Sequence, residues 1–61
     1  MQAYQVDAKE NRKKLKRIQK AISLLTEAMN TGDHIGNTQL DQAIQNCRSV
    51  EDKVEFILPV K

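Results

Sequence analysis

The chain is short of nearly everything that lets a small sequence hold itself together or carry out chemistry. Among 61 residues there is one cysteine, Cys47, and one histidine, His34. An internal disulfide is therefore impossible, and a typical structural zinc site lacks its ligands. With no tryptophan, one tyrosine and one phenylalanine, there is no series of aromatic faces on which nucleic-acid bases could stack. One proline and two glycines leave few places where the chain can break. No apolar run approaches the roughly eighteen residues of a membrane span, and the first residues lack the charged-then-apolar layout of a signal peptide. Phosphate-binding loops of the G-x-x-x-x-G-K and G-x-G-x-x-G types are missing as well. These gaps set the expectation of a cytoplasmic, non-enzymatic protein with no cofactor, no metal and no small-molecule substrate.

A chain of this size forms one domain, 1–61, and buries only about 60% of the surface of its unfolded state. Each large apolar side chain buried contributes about 1.5–3 kcal/mol, against about 1.5 kcal/mol to order each residue. Hydrophobic residues make up 39% of the sequence and five of them are alanine, so a lone monomer is marginal. Self-association, most simply as a homodimer, is expected.

Leu15, Ile18, Ile22, Leu25 and Met29 recur at spacings of three and four, one narrow stripe of an α-helix, and Ala8 and Asn11 continue the register backwards. Asp7 and Glu10 have capping-box spacing at the start, and Gly32 suits a left-handed stop. These signals predict a first helix of about 24 residues, or about 36 Å, too long for the rest of the chain to cover. The stripe is thus a candidate seam both for the core and for a dimer through helix 1. Asn11 in the seam marks either a part of the helix not yet packed or a polar pair across a dimer axis. Leu24, with Ala21 and Ala28, forms a second apolar patch toward the C-terminal end of helix 1, to be covered by a second chain or by the C-terminal segment.

Residues 30–37 hold both glycines and form a loop. Beyond it, Leu40, Ala43, Ile44 and Cys47 share a face behind an Asn37 or Thr38 cap, which predicts a second helix of about ten residues. Ser49 followed by Val50, Glu51 and Asp52 reads as a fresh cap with acids in the first turn. A short third helix follows, with Val50, Val54 and Ile57 on one face before Pro59. The same tail alternates at Val54, Phe56, Leu58 and Val60, so a strand over 54–60 pairing with Ala3, Tyr4 and Val6 is the alternative. The predicted class is all-α, a helical hairpin with a short third helix in a dimeric bundle; the alternative is α+β.

Charge is segregated. Residues 9–20 contain Lys9, Arg12, Lys13, Lys14, Lys16, Arg17 and Lys20 against Glu10 alone, a local net of +6 in a chain of net +2. On a helical wheel Lys9, Lys13, Lys16 and Lys20 lie opposite the apolar seam, with Arg12 and Arg17 flanking them. Cations in the N-terminal half of a helix oppose its dipole and repel one another at i, i+3 and i+4. Most such runs are simply the solvated face of an amphipathic helix, and that is the first reading here; a merely solvated face, however, would more often mix signs. These six residues are the candidate partner-binding surface, with an acidic protein as first partner and sequence-nonspecific nucleic acid as the alternative. A basic leucine zipper would need heptads continuing past Met29, and a helix-turn-helix would present Glu51 and Asp52 where phosphates must approach. A membrane-surface helix would carry Trp or Phe on its apolar face, and this one has neither.

Asp33 beside His34 is the one constellation with a catalytic look, but adjacent turn residues point apart and no nucleophile is near in sequence. Cys47 falls on the apolar stripe, where a small buried thiol is ordinary. Tyr4 and Phe56 read as core or edge plugs rather than stacking platforms.

Overall fold

The computed structural model describes residues 7–58, and 83% of them are helical. Helix α1 runs Ala8–Met29 and α2 runs Asn37–Ile57, packed side by side as an antiparallel hairpin. No strand occurs among the described residues. Ala3, Tyr4, Val6, Pro59 and Val60 lie outside them.

The start of α1 follows from its cap. Asp7 is extended, and its Oδ1 accepts the Glu10 backbone N–H at 3.0 Å, satisfying a donor that the first helical turn leaves unpaired. Removing that acceptor in Asp7→Ala is expected to cost about 1 kcal/mol. The melting temperature should fall by about 4–8 °C, and a thermal melt followed by circular dichroism checks it. The Glu10 side chain turns forward instead, accepting from Lys13 Nζ at 3.5 Å.

Helix α1 is slightly shorter than expected, 22 residues with Asn30 as its C-cap. Gly32 does adopt a left-handed φ of 71°, but two residues past that cap. The end is closed earlier by Thr31, whose hydroxyl donates to the Glu27 carbonyl at 2.7 Å, and by Asn37, whose side-chain amide donates to the Met29 carbonyl at 3.0 Å. Asn37 is therefore not the N-cap of α2. That position belongs to Gly36, at φ 82° and with no side-chain cap bond, a backbone conformation that suits glycine because a Cβ disfavours it. Asn37 uses its side chain to tie the first residue of α2 to the last turn of α1.

The largest departure from the sequence reading concerns α2. It continues unbroken for 21 residues to Ile57, so neither a stop near Cys47 nor a separate third helix from Ser49 occurs. Residues 54–57, four of the seven in the alternative strand, are helical. The reason lies in the register: Leu40, Ile44, Cys47, Glu51, Val54 and Leu58 recur at four, three, four, three, four, and every one is buried or half-buried. Without glycine or proline between Asn37 and Leu58, nothing stops a helix that has a long partner to lie against. Val50 and Ile57, expected on the packed face, are 43% and 39% exposed. Phe56 is no core or edge plug, being 89% exposed.

On the α1 side, the expectation that the helix is too long for the rest of the chain to cover does not hold, because α2 runs 21 residues against the 22 of α1. Ala8, Asn11, Leu15, Ile18, Ile22, Leu25 and Met29 are all half-buried on a helix otherwise mostly exposed, and α2 is the element that covers them. The core between the helices is thin. Ile44 and Val54 are the buried side chains among the described residues, at 6% exposure each, and α1 has none.

Candidate interaction surface

A helix of 3.6 residues per turn presents parallel rows, and stepping back one residue moves about 100° around its surface. Helix α1 therefore resolves into adjoining rows with separate tasks. The row Asn11, Leu15, Ile18, Ile22, Leu25, Met29 meets α2. The row one residue earlier holds Glu10, Lys14, Arg17, Ala21, Leu24 and Ala28. One residue earlier still comes the basic row, Lys9, Lys13, Lys16 and Lys20, fully on the outside. Arg12 lies beyond it on the far edge, and Arg17 belongs to the second row, on the side nearest the basic one.

All six cations of the candidate surface, with Lys14, are exposed. The structure thus brings Lys9, Arg12, Lys13, Lys16, Arg17 and Lys20 onto one stretch of one helix, with Lys9, Lys13, Lys16 and Lys20 facing away from α2 and Arg17 on the lip of the groove between the helices. Lys13 and Glu10 make the one ion pair among the described residues, at 3.5 Å. The acids of α2 do not neutralise the stripe. Glu51 is engaged elsewhere, its Oε2 accepting from Gln19 Nε2 at 3.1 Å in an exposed bond across the hairpin.

That bond marks one edge of the hairpin. On the opposite edge the helices part to form an open groove of about 500 Å³, lined by Glu10, Asn11, Lys14, Arg17, Ile18 and Ala21 from α1 and Cys47 from α2. Its floor is apolar and its α1 lip is cationic. Cys47 is half-buried and free, in keeping with its place on the apolar stripe. Asn11 reaches the groove, yet its amide donates to the Asp7 carbonyl at 2.9 Å, a local bond that makes it part of the start of the helix.

In the loop, the Asp33 carboxylate accepts the Ile35 backbone N–H at 3.1 Å, while His34 Nδ1 lies 3.3 Å from the Asn37 amide. Each side chain is occupied separately, so the pair forms no acid–base couple in this conformation. Among the described residues no group of three or more His, Cys, Asp or Glu converges as a metal site, and no helix is long and apolar enough to cross a membrane.

Two features escaped sequence reasoning. Lys14 was counted with the cations, but its place on the groove lip became visible only once α2 was positioned. Glu51 read as a first-turn acid of a third helix, whereas it is the polar member of the α2 seam. Its four-then-three spacing from Cys47 and to Val54 was the available signal.

Comparison of this chain with protein-family models, with curated proteins and with solved structures finds no match. Its function has to be argued from its own residues.

Proposed function

We propose that the protein is a non-enzymatic, self-associating helical hairpin that presents the basic row of α1 to an acidic protein surface, in the manner of a small regulatory or adaptor protein. The observation that carries this reading is the exposed row Lys9, Lys13, Lys16 and Lys20, one cation per helical turn on the side facing away from α2. Cations at that repeat match acids at the same repeat on a partner helix, which gives register as well as attraction. The row also opposes the helix dipole and its own members repel, so it carries a cost that an anionic partner would relieve.

An acidic protein suits this surface better than nucleic acid does. Helix α1 contains no aromatic residue to stack on bases, and the chain as a whole is only +2, a weak attraction for a polyanion. The test is a fluorescence titration against a poly-glutamate peptide, generic duplex DNA and single-stranded RNA. Replacing Lys13, Lys16, Arg17 and Lys20 together by Gln should abolish peptide binding while leaving the helical circular-dichroism signal intact. Wild-type binding to DNA or RNA that weakens about a thousandfold between 50 and 200 mM salt, as six or more phosphate contacts would, would overturn the protein-partner reading in favour of nucleic acid. Peptide binding unchanged in the fourfold variant would show that the stripe is not the surface.

A further inference from the structure

The self-association in the proposed reading needs a surface, and the stripe expected to supply it, Leu15 to Met29, is half-buried by α2 within one chain. We propose that a second copy of this chain docks instead on the groove side of the hairpin, on the row Ala21, Leu24, Ala28 of α1 together with Val50 and Ile57 of α2. The inference rests on the self-association reading and deepens it by assigning the face.

The geometry of α2 carries the argument. Ala43, Cys47, Val50, Val54 and Ile57 recur at four, three, four, three, a second apolar row beside the one that meets α1. It shares Cys47 and Val54 with that first row. Glu51, which bonds Gln19 at the other edge, lies on the far side of the first row, so the second one faces the groove that Cys47 lines. Helix α1 contributes its neighbouring row to the same side. The surface is thus a continuation of the hairpin's own core, left open: Leu24 is 54% exposed, Val50 43% and Ile57 39%. Helices apolar on two adjoining rows, α2 from Ala43 to Ile57 and α1 over its loop-side half from Ala21 to Ala28, can form half of a four-helix bundle.

Size and shape both fit a copy of the chain. The α1 row from Glu10 to Ala28 is about 27 Å long and the pair of helices about 20 Å wide. The whole face, polar corners included, then offers about 540 Å² per copy and about 1,100 Å² for the pair, which clears the roughly 1,000 Å² floor for a specific interface and lies just under the usual range of about 1,200–2,000 Å². The apolar band runs diagonally: near the loop it lies on α1, at Leu24 and Ala28, beside the exposed Gln39 and Asn46 of α2; toward the open end it lies on α2, at Val50 and Ile57, beside the charged Glu10, Lys14 and Arg17 of α1. A two-fold axis along that diagonal lays band on band and polar corner on polar corner, with the two hairpins crossing. The surface is self-complementary, as an isologous dimer requires. The outer basic row stays free on both copies.

Sedimentation equilibrium of the wild-type chain should give twice the monomer mass at micromolar concentration, and the variant carrying Leu24→Asp and Val50→Asp should sediment as monomer. Because that variant could also unfold, the face is mapped independently by single cysteines in a Cys47→Ala background. Leu24→Cys, Val50→Cys and Ile57→Cys should react with a thiol reagent several-fold more slowly at concentrations where the dimer forms than at dilution. Ser23→Cys and Arg48→Cys, exposed on the opposite side of the hairpin, should react at one rate throughout. A wild-type chain that is a folded monomer at every concentration overturns self-association itself. A dimer whose formation protects none of the three positions leaves self-association standing and overturns this face.

Discussion

Ile44→Asp is expected to abolish the hairpin, with loss of most of the helical circular-dichroism signal at room temperature. Ile44 is 6% exposed, at the centre of the stripe by which α2 meets α1, and an aspartate there loses the transfer energy of the aliphatic side chain. It also puts a carboxylate among apolar neighbours with no described cation facing it. The first loss is about 2–3 kcal/mol and the second adds several more. Small domains hold about 5–15 kcal/mol in all, and one with two buried side chains among its described residues belongs at the low end. Ile44→Val is the control: it removes one methylene, should cost about 0.5–1.5 kcal/mol, and should leave a folded, less stable protein. Retained helicity and an unchanged melting temperature in Ile44→Asp would mean that α1 and α2 are not held together by this stripe.

The reach of such a prediction depends on how the sequence encodes the fold. Helix α1 was readable because its five seam residues are uninterrupted and because Asp7 and Glu10 stand at capping distance, a local chemistry that the backbone uses as expected. Helix α2 was readable only to Cys47. There the next seam position is Glu51, a charged residue, so the apolar recurrence stops for a full turn just where Ser49 and Asp52 offer the letters of a new cap. What overrides those letters is tertiary. An α1 of 22 residues gives α2 a surface to follow, and Gln19 accommodates the carboxylate that broke the pattern.

Of the candidate surface, the basic row was fully legible, because a helical wheel needs no tertiary information. The Leu24 patch was legible on α1 alone. Its continuation onto Val50 and Ile57 was not, because it depends on which edge of α2 faces the groove, and the Gln19–Glu51 contact decides that. Phe56 shows the opposite limit: hydrophobicity alone suggested an interior, but its register places it on the outer side of α2 with Lys53.

The same contact makes the second large prediction one of opposite sign: Glu51→Leu should stabilise the hairpin. Glu51 is half-buried in the apolar seam, with Cys47 before it and Val54 after it. Its one described bond is to a neutral amide. Removing a hydrogen bond costs about 0.5–1.5 kcal/mol, whereas burying a leucine at a seam position contributes about 1.5–3 kcal/mol. The balance is about 0–2.5 kcal/mol in favour of leucine, or a rise in melting temperature of up to about 20 °C for a domain of this size. Adding Gln19→Leu should raise it further, since the amide left behind in the single variant is then gone too. A melting temperature that falls in Glu51→Leu would show that the Gln19–Glu51 bond outweighs the apolar gain. The two variants also bear on specificity. A polar residue in a seam can fix alignment at the expense of stability. If Glu51 sets how α2 is rotated on α1, then Glu51→Leu lets α2 turn, and the Leu24, Val50 and Ile57 face loses its single arrangement. Sedimentation should then show a stabler chain distributed over more than one oligomeric state, while a stabler protein that keeps the wild-type assembly assigns that rotation to the apolar rows alone.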